Sequence, residues 1–185
     1  MPPAPHPVHD ADRIRVLESC AILDTHPEPA FDRLTALAAR LCHAPVALVS
    51  LVDASRQWFK SHHGTPTTHT PRGMALCSYV VFTQETLIIE DTLQDPRVQD
   101  SELVTSPHGI RAYAGVPMTT VDGHTLGSFC VNDYVPRSFT PEEIADLQTL
   151  ASFATAILEL RREVNALVGA RAQMDAALTY LTSHE

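Results

Sequence analysis

The sequence predicts an α+β fold: a central antiparallel sheet with helices on one face, a pocket roofed by loops and short helices on the other, and a long carboxy-terminal helix. Three observations lead there. Two β-rich runs, Arg111 to Met118 and Thr125 to Asp133, are joined at Asp122-Gly123, a pair that accepts the positive φ angles of a tight hairpin turn. Apolar residues occupy both alternation phases of the second run, Leu126 on one and Phe129 with Val131 on the other, so both faces of this hairpin need cover. Thr140-Pro141-Glu142-Glu143 stacks a Thr N-cap, Pro at the first helical position and Glu at the third, a capping box whose carboxylates also face the positive helix end.

Length and charge narrow the class. A chain of 185 residues fits one domain of about 150 residues plus an appendage, enough to bury ~70% of its unfolded surface. The formal charge of −9 and the lack of any basic run argue against nucleic acid or an acidic membrane as partner, because phosphate binding needs clustered Lys and Arg. No stretch approaches the ~20 apolar residues of a membrane span, and the amino terminus lacks a signal-peptide core, so a cytoplasmic protein is expected. Four cysteines, Cys20, Cys42, Cys77 and Cys130, form no C-x-x-C and read as reduced thiols.

In chain order, residues 1–11 carry four prolines and are expected to be a disordered tail. A helix beginning at Asp10 or Asp12 shows Ile14, Leu17 and Ala21 at helical spacing, and Asp24 to Pro27 breaks it. A second helix runs from Pro29 to Cys42 with an apolar stripe of Phe31, Leu34, Leu37, Ala38 and Leu41. Val46 to Asp53 is a strand buried on both faces, and Arg56 to His63 is its hairpin partner. Gly64 to Pro71 reads as a loop. A short helix from Gly73 to Phe82 buries Met74, Cys77 and Val81, Leu87 to Asp91 is a strand, and Asp95-Pro96-Arg97 opens a short helix or turn reaching about Leu103.

From Leu150 an a/d pattern runs Leu150, Phe153, Ile157, Leu160, Val164, Leu167, Arg171, Met174, Leu178, Leu181. Only Arg171 breaks it, and no Gly intervenes before Gly169. One helix of about 40 residues and ~60 Å results, too long for a single core, and its apolar stripe needs a partner. These ten positions are the predicted interface of a parallel homodimer, becoming a four-helix bundle near the core with Ile14 and Leu17 from the first helix. The alternative is a helix folded back along its own domain. The domains are thus a tail at 1–11, a globular domain at 12–160 and a coiled-coil signalling helix at 161–185.

The order of elements, with Ala75-Leu-Cys-Ser-Tyr79, Ile89-Glu-Asp91, Asp95-Pro96-Arg97, Arg111-Ala-Tyr-Ala-Gly-Val-Pro117 and Leu126-Gly-Ser-Phe-Cys-Val-Asn-Asp133, resembles a GAF domain of the bacterial signalling type over roughly residues 12–160. The resemblance implies terminal helices on one face of the sheet and a roofed pocket on the other. It also implies a non-catalytic sensory module or a dimerising scaffold, with a ligand that varies across the family.

Candidate pocket residues are those whose polarity or size is hard to place on a buried sheet. Arg111 and Tyr113 share one strand face, and Arg suits a bidentate grip on carboxylate or phosphate. The alternative for Arg111 is an internal ion pair to Asp91, Asp95 or Glu102. Trp58 or Phe59 must point inward. Ser78, Tyr79 and Ser128 offer hydroxyls, Asp91 a carboxylate, and Cys77 and Cys130 are either small buried hydrophobes or a thiol pair.

Three enzyme-like or cofactor readings are weighed against this. The free methionine-(R)-sulfoxide reductases resemble the fold and use clustered pocket cysteines. Cys77 resembles one of these, and Cys130 offers a second thiol if the two approach within ~7 Å between Cα atoms. Yet His108-Gly-Ile-Arg-Ala-Tyr113 lacks the cysteine such an enzyme carries. Bilin-binding GAF domains use Cys followed by His, whereas Ser78 follows Cys77. His62, His63 and His69 flank one loop, but neighbouring strand residues point to opposite faces and no metal-ligand spacing appears. No bilin, haem or metal motif is present, so the cofactor is left unassigned. A small-molecule ligand and a downstream kinase or cyclase output domain are the expected partners.

Overall fold

The structure, a computed structural model, describes residues 4–182. Helices α1 (Asp10–Ser19) and α2 (Pro29–Leu41) precede strands β1 (Val46–Val52), β2 (Arg56–His63) and β3 (His69–Pro71). After a 3-10 turn at Arg72–Met74 come α3 (Leu76–Thr83), β4 (Leu87–Ile89), α4 (Glu102–Thr105), β5 (Ala112–Thr119), β6 (Thr125–Asp133) and α5 (Pro141–Thr182). The strands form one sheet in the order β3-β2-β1-β6-β5-β4, with every neighbouring pair antiparallel. The expected loop before α3 contains the edge strand β3.

Side-chain alternation divides the core in two. On one face Ala47, Val49, Leu51, Trp58, Val116, Phe129 and Val131 pack under α1, α2 and the first turns of α5, which supply Leu17, Phe31, Ala38, Leu147, Leu150, Ala154 and Leu158. On the other, Val46, Leu48, Val52, Phe59, Tyr113 and Cys130 meet α3 and the loops. Helix α3 is buried around most of its circumference, as an all-apolar helix requires. One detail differs from expectation: Leu126 joins Phe129 and Val131 on the helix face. The β5–β6 register shifts between Met118 and Thr119, and such a bulge reverses the phase on either side of it. Ser128 and Cys130 hold the opposite phase, so both faces of the hairpin are covered.

Helix α5 begins with the capping box read from the sequence. Thr140 N donates to Glu143 Oε2 at 2.7 Å and Glu143 N to Thr140 Oγ1 at 3.2 Å, satisfying two N–H groups that a helix start leaves orphaned. The helix is 42 residues long. Its domain-facing stripe is Leu147, Leu150, Ala151, Ala154 and Leu158, so Leu150 belongs to the domain's own core. Ile157 packs partly against that core. Phe153, Leu160, Val164, Leu167, Met174, Leu178 and Leu181 are exposed, and Arg171 lies exposed among them. A helical face curving around a sheet reads i, i+3, i+4, i+7, which a strict heptad count starting at Leu150 mixes with the seam. Leu17, assigned to a four-helix bundle, is likewise fully buried in its own domain.

The amino-terminal expectation needs a similar correction. Residues 1–3 lie outside the described residues, but Ala4 is buried against the α3 side of the sheet and α1 starts at Asp10. An ionic knot at the start of α1 ties that helix to the sheet. Arg13 Nε and both terminal nitrogens of Arg72 donate to Asp10 at 2.8–2.9 Å, while Arg13 Nη1 reaches Val52 O at 2.7 Å. Among the described residues no helix is long and apolar enough to cross a membrane.

Candidate functional site

Between the α3 side of the sheet and its roof lies a cavity of about 520 Å³, the size of a small-ligand site. Strand alternation builds its floor. Val46 and Leu48 project from β1, Gln57 and Phe59 from β2, Tyr113 from β5, and Cys130 and Asn132 from β6. Thr70 and Pro71 of β3 close one end, Met74, Leu76 and Cys77 lead into α3, and Leu103, Ser106, His108 and Ile110 form the roof.

Three floor side chains each carry a buried oxygen without a hydrogen-bond partner: Gln57 Oε1, Thr70 Oγ1 and Asn132 Oδ1. Buried polar atoms are nearly always paired, so three unpaired oxygens on residues that line one hollow set this wall apart from the densely packed opposite face. Sequence reasoning missed all three. The signal was present in the alternation, because Gln57 shares its phase with Phe59, and Asn132 shares its phase with Cys130.

Deeper in the floor the two cavity cysteines meet. Cys77 Sγ lies 3.7 Å from Cys130 Sγ, and Tyr113 OH donates to Cys77 Sγ at 3.2 Å while lying 3.3 Å from Ser128 Oγ. Gly115 makes this possible: a Cβ there would come within 2.1 Å of Tyr113 OH, so the phenol lies along the strand only because position 115 has no side chain. Burial would raise the Cys77 thiol, but the hydrogen bonds from Cys130, Ser50, Tyr113 and Ser128 outweigh it and draw its pKa below the ordinary thiol range. Ser50 Oγ stays close without meeting hydrogen-bond geometry to any partner. The same contact with Cys77, together with burial, pushes Cys130 up. By contrast Cys42, buried beside the Glu143 charge, is pushed up to about 12. All four cysteines are free thiols.

Of the sequence-predicted pocket residues, the structure brings Cys77, Tyr113 and Cys130 into the cavity wall. Ser128 sits behind Tyr113. Trp58 points to the helix face, because Gln57 and Phe59 on either side take the cavity phase. Ser78 Oγ donates to Arg72 O at 3.0 Å and Tyr79 OH to Arg97 O at 3.2 Å, so both hydroxyls are spent on backbone and not on the cavity. Arg111 lies before β5 begins, and its Nη2 contacts Asp91 Oδ1 at 2.9 Å, the internal ion pair, outside the cavity wall. That hydrogen bond holds the Asp91 carboxyl below its ordinary range. Among the described residues no three His, Cys, Asp or Glu cluster to hold a metal ion.

Comparison with known proteins places this geometry. A GAF domain family model matches residues 26–158. A cyclic di-GMP phosphodiesterase of Pseudomonas aeruginosa is 30% identical over 195 residues, covering 97% of this chain and 33% of the relative. The chain therefore spans about a third of the length of that relative. Among solved structures, the GAF domain of an Acinetobacter phosphoenolpyruvate-protein phosphotransferase superposes with a TM-score of 0.61 at 16% identity, covering 84% of this chain and 98% of that one. The free methionine-R-sulfoxide reductase of Neisseria meningitidis, solved with its substrate, superposes at 0.56 with 18% identity, covering 91% and 99%. Identities this low carry the fold alone, and the family match covers most of the chain: it belongs to the GAF domain family.

Proposed function

We propose that this chain is a non-catalytic, cytoplasmic sensory module that binds a small molecule in the 520 Å³ cavity and relays occupancy through a dimeric α5 in bacterial signal transduction. The observation that carries this reading is that one hairpin serves both ends of the relay. Strand β6 lays Cys130 and Asn132 in the cavity floor, and the turn that starts it is fastened to α5. Val121 N donates to Glu159 Oε1 at 2.7 Å and Arg162 Nη1 to Asp122 Oδ2 at 3.0 Å. Beyond those anchors the apolar positions Val164, Leu167, Met174, Leu178 and Leu181 are exposed, and an exposed heptad stripe in water calls for a second helix. Since the match covers only part of the phosphodiesterase relative, an output domain such as a kinase, a cyclase or a phosphodiesterase completes the proposed signalling unit.

The test is sedimentation of the full chain beside a version ending at Leu160. A dimer that becomes a monomer on truncation is the expected result. A full chain that sediments only as monomer removes the relay.

A second reading, thiol chemistry like that of the free methionine-(R)-sulfoxide reductases, is favoured by the 3.7 Å approach of Cys77 and Cys130. An NADPH-coupled assay with free methionine-(R)-sulfoxide decides it, and absence of turnover discards it. A scaffold that dimerises without any ligand is the third reading, and it predicts a cavity indifferent to every small molecule offered.

A further inference from the structure

The charges and unpaired atoms around the cavity define the class of molecule it takes; this rests on the sensory reading above. Neither Lys nor Arg is among the lining residues, and the titratable roof side chains there are Glu102 and His108, both exposed. The amino end of α3, at Leu76 and Cys77, adds the field of a helix start, about half a positive charge. Glu102 offsets it with a full negative one. A phosphate or carboxylate entering this hollow would give up its hydration with no Lys or Arg to replace it and only the exposed His108 in the roof.

The unpaired atoms point the same way. Gln57 is 5%, Thr70 9% and Asn132 5% exposed, and the oxygens of all three lack partners. Gln57 and Thr70 are cross-strand neighbours on β2 and β3. Asn132 lies opposite Val46 and Gln57 opposite Val52, the two ends of β1. Six residues of strand put these poles roughly 20 Å apart along the sheet, with Leu48 and Phe59 between them. A buried acceptor without a protein partner is satisfied by an N–H or O–H donor. If a carboxamide turns its NH2 inward instead, it meets a neutral acceptor equally well and still supplies no charge.

We infer that the cavity takes an uncharged or cationic small molecule with an apolar body and N–H or O–H donors toward its ends, and that it rejects phosphorylated and carboxylated metabolites, cyclic di-GMP included. Hydrogen-bond donors on such a ligand would fill Gln57 and Thr70 at one pole or Asn132 at the other, while its body lies against Leu48 and Phe59.

The experiment has two parts, both on the full chain. In the first, Gln57→Leu and Asn132→Leu are melted without any additive. Because the polar atoms have no partner to lose, both variants are expected to melt no lower than the wild type. A clear drop in both would show that these side chains are structural and would overturn the inference. In the second, calorimetry compares tryptamine with indole-3-acetate, which share an apolar body and an N–H but differ in the charge at the other end, and adds cyclic di-GMP. Tryptamine is expected to bind at least tenfold tighter than either anion, and at least one of the two Leu variants to lose tenfold or more of that affinity. Anions binding as well as the amine, or Leu variants binding it like the wild type, overturn the ligand class while leaving the sensory reading standing. No binding of any of the three by the wild type overturns the ligand class and counts against the sensory reading with it.

Discussion

The two faces of this sheet are made from the same strands and differ in almost everything else. On the helix side, Val49, Leu51 and Phe129 meet three helices with no exposure at all. Across the pleat, the neighbours of those residues, Leu48, Gln57 and Cys130, look into a hollow roofed by loops and short helices. Packing to crystal-like density stabilises a fold but leaves nowhere for a guest, whereas the other face leaves a hollow beside unpaired oxygens and two adjacent thiols. The contrast teaches that strand alternation alone sets a dense core on one face and a hollow on the other.

The sharpest way to break the comparison uses two leucines of one strand. Leu51→Ala, on the helix face, is expected to cost about 4 kcal/mol, and Leu48→Ala, which only enlarges a space already present, about 2 kcal/mol. Urea denaturation measures both, and equal losses would mean the cavity face is packed as tightly as the other. Next comes the edge where α1 is tied to the sheet. Asp10→Asn leaves the buried Arg13 and Arg72 without their carboxylate and should cost about 3 kcal/mol.

The same site predicts an acid limb. Burial alone would raise the Asp10 carboxyl, but the hydrogen bonds from Arg72 and Arg13 and their charges hold it well below its ordinary 3.8. The folded state thus binds this proton less readily than the unfolded chain. The contribution is complete above that ordinary value and is lost as pH falls through and below it. Stability measured at pH 7 and in acid should diverge less in Asp10→Asn than in the wild type.

A smaller effect separates the thiols of the two faces. Mild oxidation with diamide is expected to join Cys77 to Cys130 on the cavity side, read as loss of two hydrogens in a peptide map, and to leave buried Cys20 and Cys42 as thiols. Cross-linking of the helix-face cysteines first would reverse that assignment. Least of all, Thr140→Ala removes one side of the capping box at the start of α5 and should lower stability by about 1 kcal/mol, with the sedimentation behaviour unchanged.

How much of this was legible in the sequence depended on whether the signal was local. The capping box at Thr140, the Asp122-Gly123 turn and the strand Arg56–His63 follow from neighbouring residues, and the structure repeats them. Tyr113 was legible as a polar group on a buried strand, and Cys77 and Cys130 through the family resemblance, and all three line the cavity. Lys60 and Arg72 were not foreseen as buried, since their partners Glu28 and Asp10 are reached only through the fold, while Arg13 has a local partner in Asp10 but is buried by its reach to Val52 O. Trp58 was drawn to the cavity by its size, whereas alternation gives that face to Gln57 and Phe59. The seam and the core stripe of α5 were merged because periods of 3.5 and 3.6 diverge by only about 20° per heptad.

Helix α5 runs without interruption from the core stripe at Leu147–Leu158 to Thr182, and this makes its linker length a matter of phase. Each residue inserted after Leu160 turns everything downstream by about 100° and advances it about 1.5 Å. Seven residues return it close to its starting orientation. Fusions of this chain to an effector should accordingly retain control at heptad spacings and lose or invert it in between, like gear teeth that mesh only at set positions.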